Sequence, residues 1–211
     1  MIRILIADDH GIVRKGLKQI VAENPDMAVT GEASSGQEAL DLSQAQEFDV
    51  AIIDIAMPGR GGLEILKDLK AQKPSLKIIM LSMYSEEQYA IRSLRDGASA
   101  YLTKANATDE LIKAIETVAG GKRYITPSVA ERLASYVEHD GSRPPHESLS
   151  DRELQVLGKI GSGKSMSEIA AELSLSVKTI STYRARLLEK MGMETSAQLI
   201  KYAVQHKVEP Y

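Results

Sequence analysis

The 211-residue sequence predicts an α/β protein in two parts: a doubly wound, five-stranded parallel sheet, then a linker and a small all-α domain. Three observations predict it. Apolar runs recur at 2–7, 27–33, 50–53, 78–83 and 100–103 with amphipathic segments between them, which is the βα alternation of a parallel sheet. The run Val50-Ala51-Ile52-Ile53 has no polar alternation, as expected of a strand covered on both faces. Beyond Pro145 the apolar spacing is helical.

Composition bounds the function. With 43% apolar residues the chain can bury a substantial core, and its length favours two domains. There is no cysteine, so disulfides and thiolate chemistry are excluded, in keeping with a cytoplasmic setting. The apolar start, Met1 to Ala7, is too short for a signal peptide or a membrane span. Charge is uneven: residues 1–146 carry 17 Lys and Arg against 21 Asp and Glu, whereas residues 147–211 carry 9 against 8. Only the second part has the balance to meet nucleic acid through a local basic face.

Taken in order, the five strands are followed by helices predicted at 12–23, 36–45, 63–72, 86–95 and 108–119. Their apolar residues fall at helical spacing, as in Leu63, Leu66 and Leu69 or Leu111, Ile115 and Val118. Gly97 and the pair Gly120-Gly121 stand where the fourth and fifth helices should stop. The third strand ends abruptly on Asp54. Met57-Pro58-Gly59 and Gly61-Gly62 then delay the next helix, so Asp54 is left at a loop mouth without a local helix to cap.

The strand ends carry the chemistry. The first gives Asp8 and Asp9, the third Asp54, the fourth Ser82 and the fifth Lys104. Ligands of open parallel sheets gather beyond the carboxyl ends of the strands. Clustered carboxylates repel unless a cation sits among them, and an oxygen-rich set that also meets a phosphate suits Mg²⁺. Lys104 and Ser82 offer a phosphoryl group a charge and a hydrogen bond. Asp54 is the natural nucleophile, because a carboxylate forms an aspartyl-phosphate when a metal neutralises the incoming oxygens. Singly, each residue has a plainer role: Asp8 or Asp9 as a helix cap, Ser82 in a turn, Lys104 as a solvated lysine. Four strand ends with matching chemistry argue for the joint reading.

Asp8-Asp9, Asp54 with Met57-Pro58-Gly59, Ser82 and Lys104 resemble the receiver domain of two-component response regulators over residues 1–122. The resemblance implies a flavodoxin-like sheet in the order 2-1-3-4-5 and phosphorylation of Asp54 by a sensor histidine kinase. It implies Mg²⁺ bound by Asp9, Asp54 and the Ala56 carbonyl, with Asp8 acting through water, and phosphoryl sensing by Ser82 and Lys104. Tyr101 matches the aromatic switch position, whose ring turns inward on activation; its plainer role is a half-buried strand aromatic. Two departures stand out. Ala105 follows Lys104 where receivers commonly carry proline with a cis bond, and a cis bond without proline would cost about 2.5–4 kcal/mol. Ala56 has no side chain to orient an attacking water, so slow intrinsic loss of phosphate is expected.

A short helix is predicted from Thr126 through Val137, with Val129, Leu133, Tyr136 and Val137 on one side. Asp140-Gly141-Ser142-Arg143-Pro144-Pro145 then breaks all periodicity and completes a linker at 123–145. Ser150-Asp151-Arg152-Glu153 has capping-box spacing and opens the next helix. Residues Gly158 to Ser165 satisfy the Walker A pattern letter for letter. An ATP site is nonetheless rejected, because a P-loop needs a buried strand before its first glycine and this stretch follows a capped helix.

What remains is a helix ending near 161–163, a second at 166–173, a turn through Ser174-Leu175-Ser176 and a third helix from Val177. At 100° per residue, Val177, Ile180, Tyr183, Leu187, Leu188 and Met191 share one arc. Lys178, Ser181, Thr182, Ala185, Arg186 and Glu189 share the opposite one. That polar arc fits a helix in the major groove, with small side chains approaching bases and basic ones reaching phosphates. Arg184 falls in the apolar arc, with a phosphate or an internal partner as its alternatives.

The segments 149–157, 167–170 and 176–183 resemble the LuxR-type helix-turn-helix over about 146–208, so the whole chain resembles NarL/FixJ-family transcriptional regulators. The resemblance implies base reading by Ser181, Thr182 and Ala185 and phosphate contacts by Lys178 and Arg186. It implies binding of double-stranded promoter DNA by 177–191, a dimer surface on the helix at 196–206, a homodimer on activation and no membrane association. Tyr183 stands where histidine is frequent. A phosphatase of the haloacid dehalogenase type also uses a strand-end aspartate with Mg²⁺, but places a second aspartate two residues on, where this chain has Ala56. A receiver working without phosphate is disfavoured by the intact acidic set.

Overall fold

In the computed structural model, which describes residues 1–83, 86–138 and 144–208, the chain forms two compact units, Met1–Ser135 and Tyr136–Tyr211. In the first, strands β1 (Ile2–Ala7), β2 (Met27–Ala33), β3 (Val50–Asp54), β4 (Lys77–Ser82) and β5 (Ala100–Thr103) make one parallel sheet in the order β2-β1-β3-β4-β5. Helices α1 (Gly11–Ala22), α2 (Gly36–Ala45), α3 (Gly62–Gln72), α4 (Glu86–Arg95) and α5 (Ala107–Ala119) connect and follow them.

Each central strand buries side chains on both faces, which is why it reads as an unbroken apolar run. Ile4, Ile6, Val50, Ile52, Ile79, Leu81 and Leu102 pack with Leu17 and Val21 of α1 and with Leu111, Ile115 and Val118 of α5. Each such side chain contributes about 1.5–3 kcal/mol when fully buried. Alternate residues, among them Leu5, Ile53, Ile78, Met80 and Tyr101, are equally buried, while α2 packs on α3 and α4 on β5. The expected fourth strand at 78–83 is shifted by one residue, because Met83 is 73% exposed beyond the sheet edge.

Register decides what meets at the carboxyl edge. Ala7 pairs with Ile53, Asp54 with Leu81, and Ser82 with Thr103. Asp8, Asp54, Ser82 and Lys104 therefore leave the sheet at neighbouring strand ends. Gly62 allows the loop after β3 to fold back, since a Cβ there would lie 2.2 Å from the Asp54 carbonyl oxygen. Beyond α5, Tyr124 bonds through its N–H to the Ser99 carbonyl at 3.0 Å, and α6 (Pro127–Glu138) follows. Val129 of α6 is buried; the expected packing of Val137 and the breaks at Asp140 through Arg143 lie outside the described residues.

Beyond the end of α6, the second unit holds a 3-10 turn (Pro145–Ser148), then α7 (Asp151–Gly161), α8 (Met166–Glu172), α9 (Val177–Met191) and α10 (Ser196–Gln205). Local sequence sets every start. Ser150 with Glu153, Ser165 with Glu168 and Thr195 with Gln198 form capping boxes, and the Ser176 side chain accepts the Thr179 N–H. Gly192 stops α9 in the left-handed conformation, φ 63°.

Candidate functional site

At the carboxyl edge the acidic and basic residues predicted from the sequence come together. Asp8 and Asp54 are 0% and 1% exposed. The Lys104 Nζ lies between them, 2.8 Å from Asp8 Oδ2 and 3.0 Å from Asp54 Oδ2. Asp9 is exposed beside them. Ser82 is fully buried at the end of β4, and its carbonyl accepts the Lys104 N–H at 2.7 Å, tying the lysine's backbone to the same edge. Ala56 lies in the loop after β3, half-buried. Tyr101 is 1% exposed, so its ring is inside rather than half-buried. All described peptide bonds are trans, Lys104-Ala105 included.

Neither Asp8 nor Asp9 takes the plainer role of capping α1. The N-cap position belongs to His10, whose side chain makes no capping bond. Asp8 instead closes a tight turn, its Oδ1 accepting the His10 N–H at 2.8 Å, while Arg14 of α1 donates to the Asp8 carbonyl at 2.6 Å. One ligand atom from each of Asp8, Asp9, His10 and Asp54 lies within 4.8 Å of the others. His10 was not among the residues predicted for this site; its only sequence signal is its place directly after Asp8-Asp9.

Electrostatics set the cluster apart from an ordinary surface ion pair. Burial pushes the Asp54 carboxyl above the usual range, and the neighbouring Asp8 adds to this, while Lys104 opposes it. Burial alone would lower Lys104, but the charge of Asp54 and hydrogen bonding to Asp8 and Asp54 outweigh it and hold the ammonium above its ordinary value. Asp54 Oδ1 is buried and makes no hydrogen bond of ordinary geometry among the described residues, and the Ala56 N–H is the weakest of the groups that favour the charged carboxylate. An orphaned carboxylate oxygen in a cleft is costly and asks for a cation or a reacting group. The cluster consists of hard oxygen donors with one imidazole, so it fits a divalent ion.

In the second unit, α9 sorts its residues as the sequence predicts, with one exception. Ile180, Leu187 and Met191 are buried, whereas Lys178, Ser181, Thr182, Ala185, Arg186 and Glu189 are exposed. Val177, expected inward, is 45% exposed because the first turn of α9 extends past the core. The Ser181 and Thr182 hydroxyls donate to the carbonyls of Val177 and Lys178 at 3.0 and 3.1 Å, which leaves their oxygens facing outward as acceptors. Arg184 has an internal partner: its Nε donates to Ser196 Oγ at the start of α10.

The Walker A pattern is dismantled by the fold. Gly158 lies within α7, Ser165 caps α8, and Lys164 is paired with Glu172. Among the described residues the stretch leading into the first glycine is the helix α7 itself, preceded by a 3-10 turn, and not a strand.

Residues 4–116 match the response regulator receiver domain, and residues 147–203 match the bacterial regulatory proteins of the luxR family. The chain belongs to the response regulator family. This response regulator is 37% identical to response regulator UvrY of Escherichia coli O6:H1 over 207 residues, covering 98% of the chain and 95% of UvrY. It is 35% identical to response regulator GacA of Pseudomonas aeruginosa over 210 residues, covering 98% and 97%. Among solved structures it is similar to RcsB of Salmonella enterica serovar Typhimurium bound to promoter P1flhDC in the presence of phosphomimetic BeF3⁻, with TM-score 0.68 and 28% identity over 97% of this chain and 98% of that one. The response regulator is thus a phosphorylation-controlled transcriptional regulator of the NarL/FixJ type, coupling a receiver to a luxR-type DNA-binding domain. Among the described residues no helix is long and apolar enough to cross a membrane.

Proposed function

We propose that Asp54 is the phosphoacceptor of this regulator and that α9 is its DNA-reading helix. The observation that carries the first half is the orphaned Oδ1 of Asp54, buried beside a lysine ammonium and two further carboxylates. An Asp54 oxygen forms the new P–O bond as the P–N bond of a phosphohistidine on a partner kinase breaks, with the electron pair leaving on the imidazole. Lys104 and Ser82 receive the phosphoryl oxygens. Asp9, Asp54 and the Ala56 carbonyl would hold Mg²⁺, which when bound neutralises the phosphoryl oxygens. Asp8 acts through water, because its Oδ1 is engaged by the His10 N–H and its Oδ2 by Lys104. Tyr101, already inward, is the switch residue. With Ala56 offering no side chain to align water, the phosphoryl group leaves slowly without a phosphatase. This protein is then a stoichiometric acceptor rather than a turnover enzyme; rapid loss in a timed Mg²⁺ assay would overturn that.

In the second half, Ser181, Thr182 and Ala185 approach base edges, while Lys178 and Arg186 contact phosphates. Arg184 serves chiefly through Ser196, steadying α10 against α9, with a phosphate contact secondary. The domain plan is a receiver at 1–122, a linker at 123–145 and a DNA-binding domain at 146–211, working in the cytoplasm. Phosphorylation brings two copies together through α10, whose Ile200 and Val204 are 37% and 64% exposed, and pairing raises DNA affinity by effective concentration.

The deciding experiment treats the full chain with acetyl phosphate and Mg²⁺, or with beryllofluoride, and follows intact mass, association state and DNA binding. One phosphoryl group per chain, absent in Asp54→Asn, with a stoichiometric rise in dimer and DNA affinity is expected. Phosphorylation without any change in association or DNA affinity would overturn the coupling.

A further inference from the structure

We propose that the exposed face of α9 selects bases by their exocyclic amino groups: Ser181 and Thr182 each accept a hydrogen bond from adenine or cytosine, and the Ala185 methyl packs on a thymine methyl. The inference rests on the reading of α9 as the helix that enters the major groove and names what it recognises there.

Both hydroxyl protons are committed inside the helix. Ser181 Oγ donates to the Val177 carbonyl at 3.0 Å and Thr182 Oγ1 to the Lys178 carbonyl at 3.1 Å, each one turn back. A hydroxyl has one donor and two acceptor lone pairs, so what both side chains offer outward is lone pairs alone. Ser181, Thr182 and Ala185 are all exposed. Their spacing of three and four residues puts Ala185 beside both hydroxyls, with Cβ atoms roughly 5–6 Å apart. The long cations Lys178 and Arg186 flank this trio at its two ends, and the Arg184 guanidinium is turned to Ser196 Oγ on α10. The centre of the face is therefore short, uncharged and accepting.

Such a face discriminates between base edges. In the major groove adenine offers N6–H₂ and cytosine N4–H₂, whereas guanine O6 and thymine O4 present acceptors instead. An oxygen lone pair set against another acceptor is a desolvated polar group without a partner, which costs affinity. To donate to guanine or thymine, either hydroxyl would first have to break its bond to the helix carbonyl. Selection at the two positions facing Ser181 and Thr182 is thus for amino over keto bases on one strand, with adenine and cytosine equivalent as donors. Ala185 has a methyl alone, which suits the thymine C5-methyl.

The test uses the full chain with beryllofluoride and Mg²⁺, selecting from a random-sequence duplex library at one fixed salt concentration, for wild type, Ser181→Ala and Thr182→Val. Wild type should enrich sites with two positions per half-site restricted to adenine or cytosine on one strand and a thymine beside them. Each variant should flatten one of those positions, lowering its discrimination by about tenfold, and leave the other position and the salt slope unchanged. On the selected duplex, wild type should lose about tenfold in affinity when the adenine is replaced by purine or the cytosine by 2-pyrimidinone, each lacking only the amino group, and less when the thymine is replaced by uracil. Guanine or thymine at the two positions would overturn the proposal. So would equal binding of the duplexes without the amino groups, a measurement that needs no variant to fold. A uniform loss over all sequences in both variants would overturn it as well, since the hydroxyls would then serve the helix alone. If wild type enriches no sequence the proposal falls, and Lys178→Ala and Arg186→Ala then decide the underlying reading: weakened duplex binding keeps α9 on the DNA, whereas unchanged binding removes it.

Discussion

Asp54 in the first unit and Glu153 in the second are both buried carboxylates, 1% and 2% exposed, and each lies beside a lysine. Their surroundings are opposite. Glu153 Oε2 accepts the Ser150 N–H at 2.8 Å, the Ser150 hydroxyl at 2.9 Å and the Lys190 ammonium at 2.7 Å, joining the start of α7 to the end of α9. Burial alone would raise Glu153, but Lys190 and Ser150 together hold it below the usual carboxylate range. Asp54 has an oxygen left over, and burial raises it. A carboxylate whose acceptors are filled stabilises a fold; one held unsatisfied at a sheet edge is kept for chemistry.

Four measurements would break or sharpen this contrast. The largest effect is expected at Asp54→Asn, which should abolish the mass gain on treatment with acetyl phosphate and Mg²⁺, whereas Glu153→Gln should leave it intact. Next, Glu153→Ala should destabilise the second unit by about 2 kcal/mol, read by denaturant titration, through loss of a cap and a charge-assisted bond. Glu153 is depressed in the folded state, so its contribution is fully present above the ordinary glutamate range and is lost as pH falls through the depressed value. A stability difference between wild type and variant that widened on acidification would contradict this assignment.

A smaller effect of opposite sign is expected for Asp54→Asn in chelator, a gain of about 1 kcal/mol in receiver stability, because the substitution removes a desolvated charge next to Asp8. Added Mg²⁺ should raise the Tm of wild type more than that of the variant. A destabilised Asp54→Asn would mean that Lys104 fully compensates the carboxylate. Smallest are the single-residue changes on α9. Lys178→Ala or Arg186→Ala should reduce DNA affinity a few-fold and lower the salt slope by about one each, while Arg184→Ala should act more on thermal stability than on that slope.

Much of this was legible in the chain. The termini of α2, α4 and α9 agree with expectation, because a serine cap or a glycine stop is a local signal, and the strand order agrees with what the family resemblance implied. The joint chemistry of Asp8, Asp54, Ser82 and Lys104 was readable because each ends a strand. Other features were silent. Lys190 lies 37 residues from Glu153, Arg184 lies 12 from Ser196, and nothing in the spacing couples either pair. Val177 misled because helical periodicity defines a face but not where the core beneath it ends.

By itself the sequence determined the element types, their order, the caps and the identity of the groups offered at the sheet edge, since all of these follow from backbone preference and from side-chain periodicity over a few residues. Tertiary structure alone decided which groups touch. The pairing of Ala7 with Ile53, Asp54 with Leu81 and Ser82 with Thr103 brings Lys104 between two carboxylates and buries Asp54 beside Asp8. Register across a sheet is fixed by the packing of both faces at once, and no local stretch of chain contains that information.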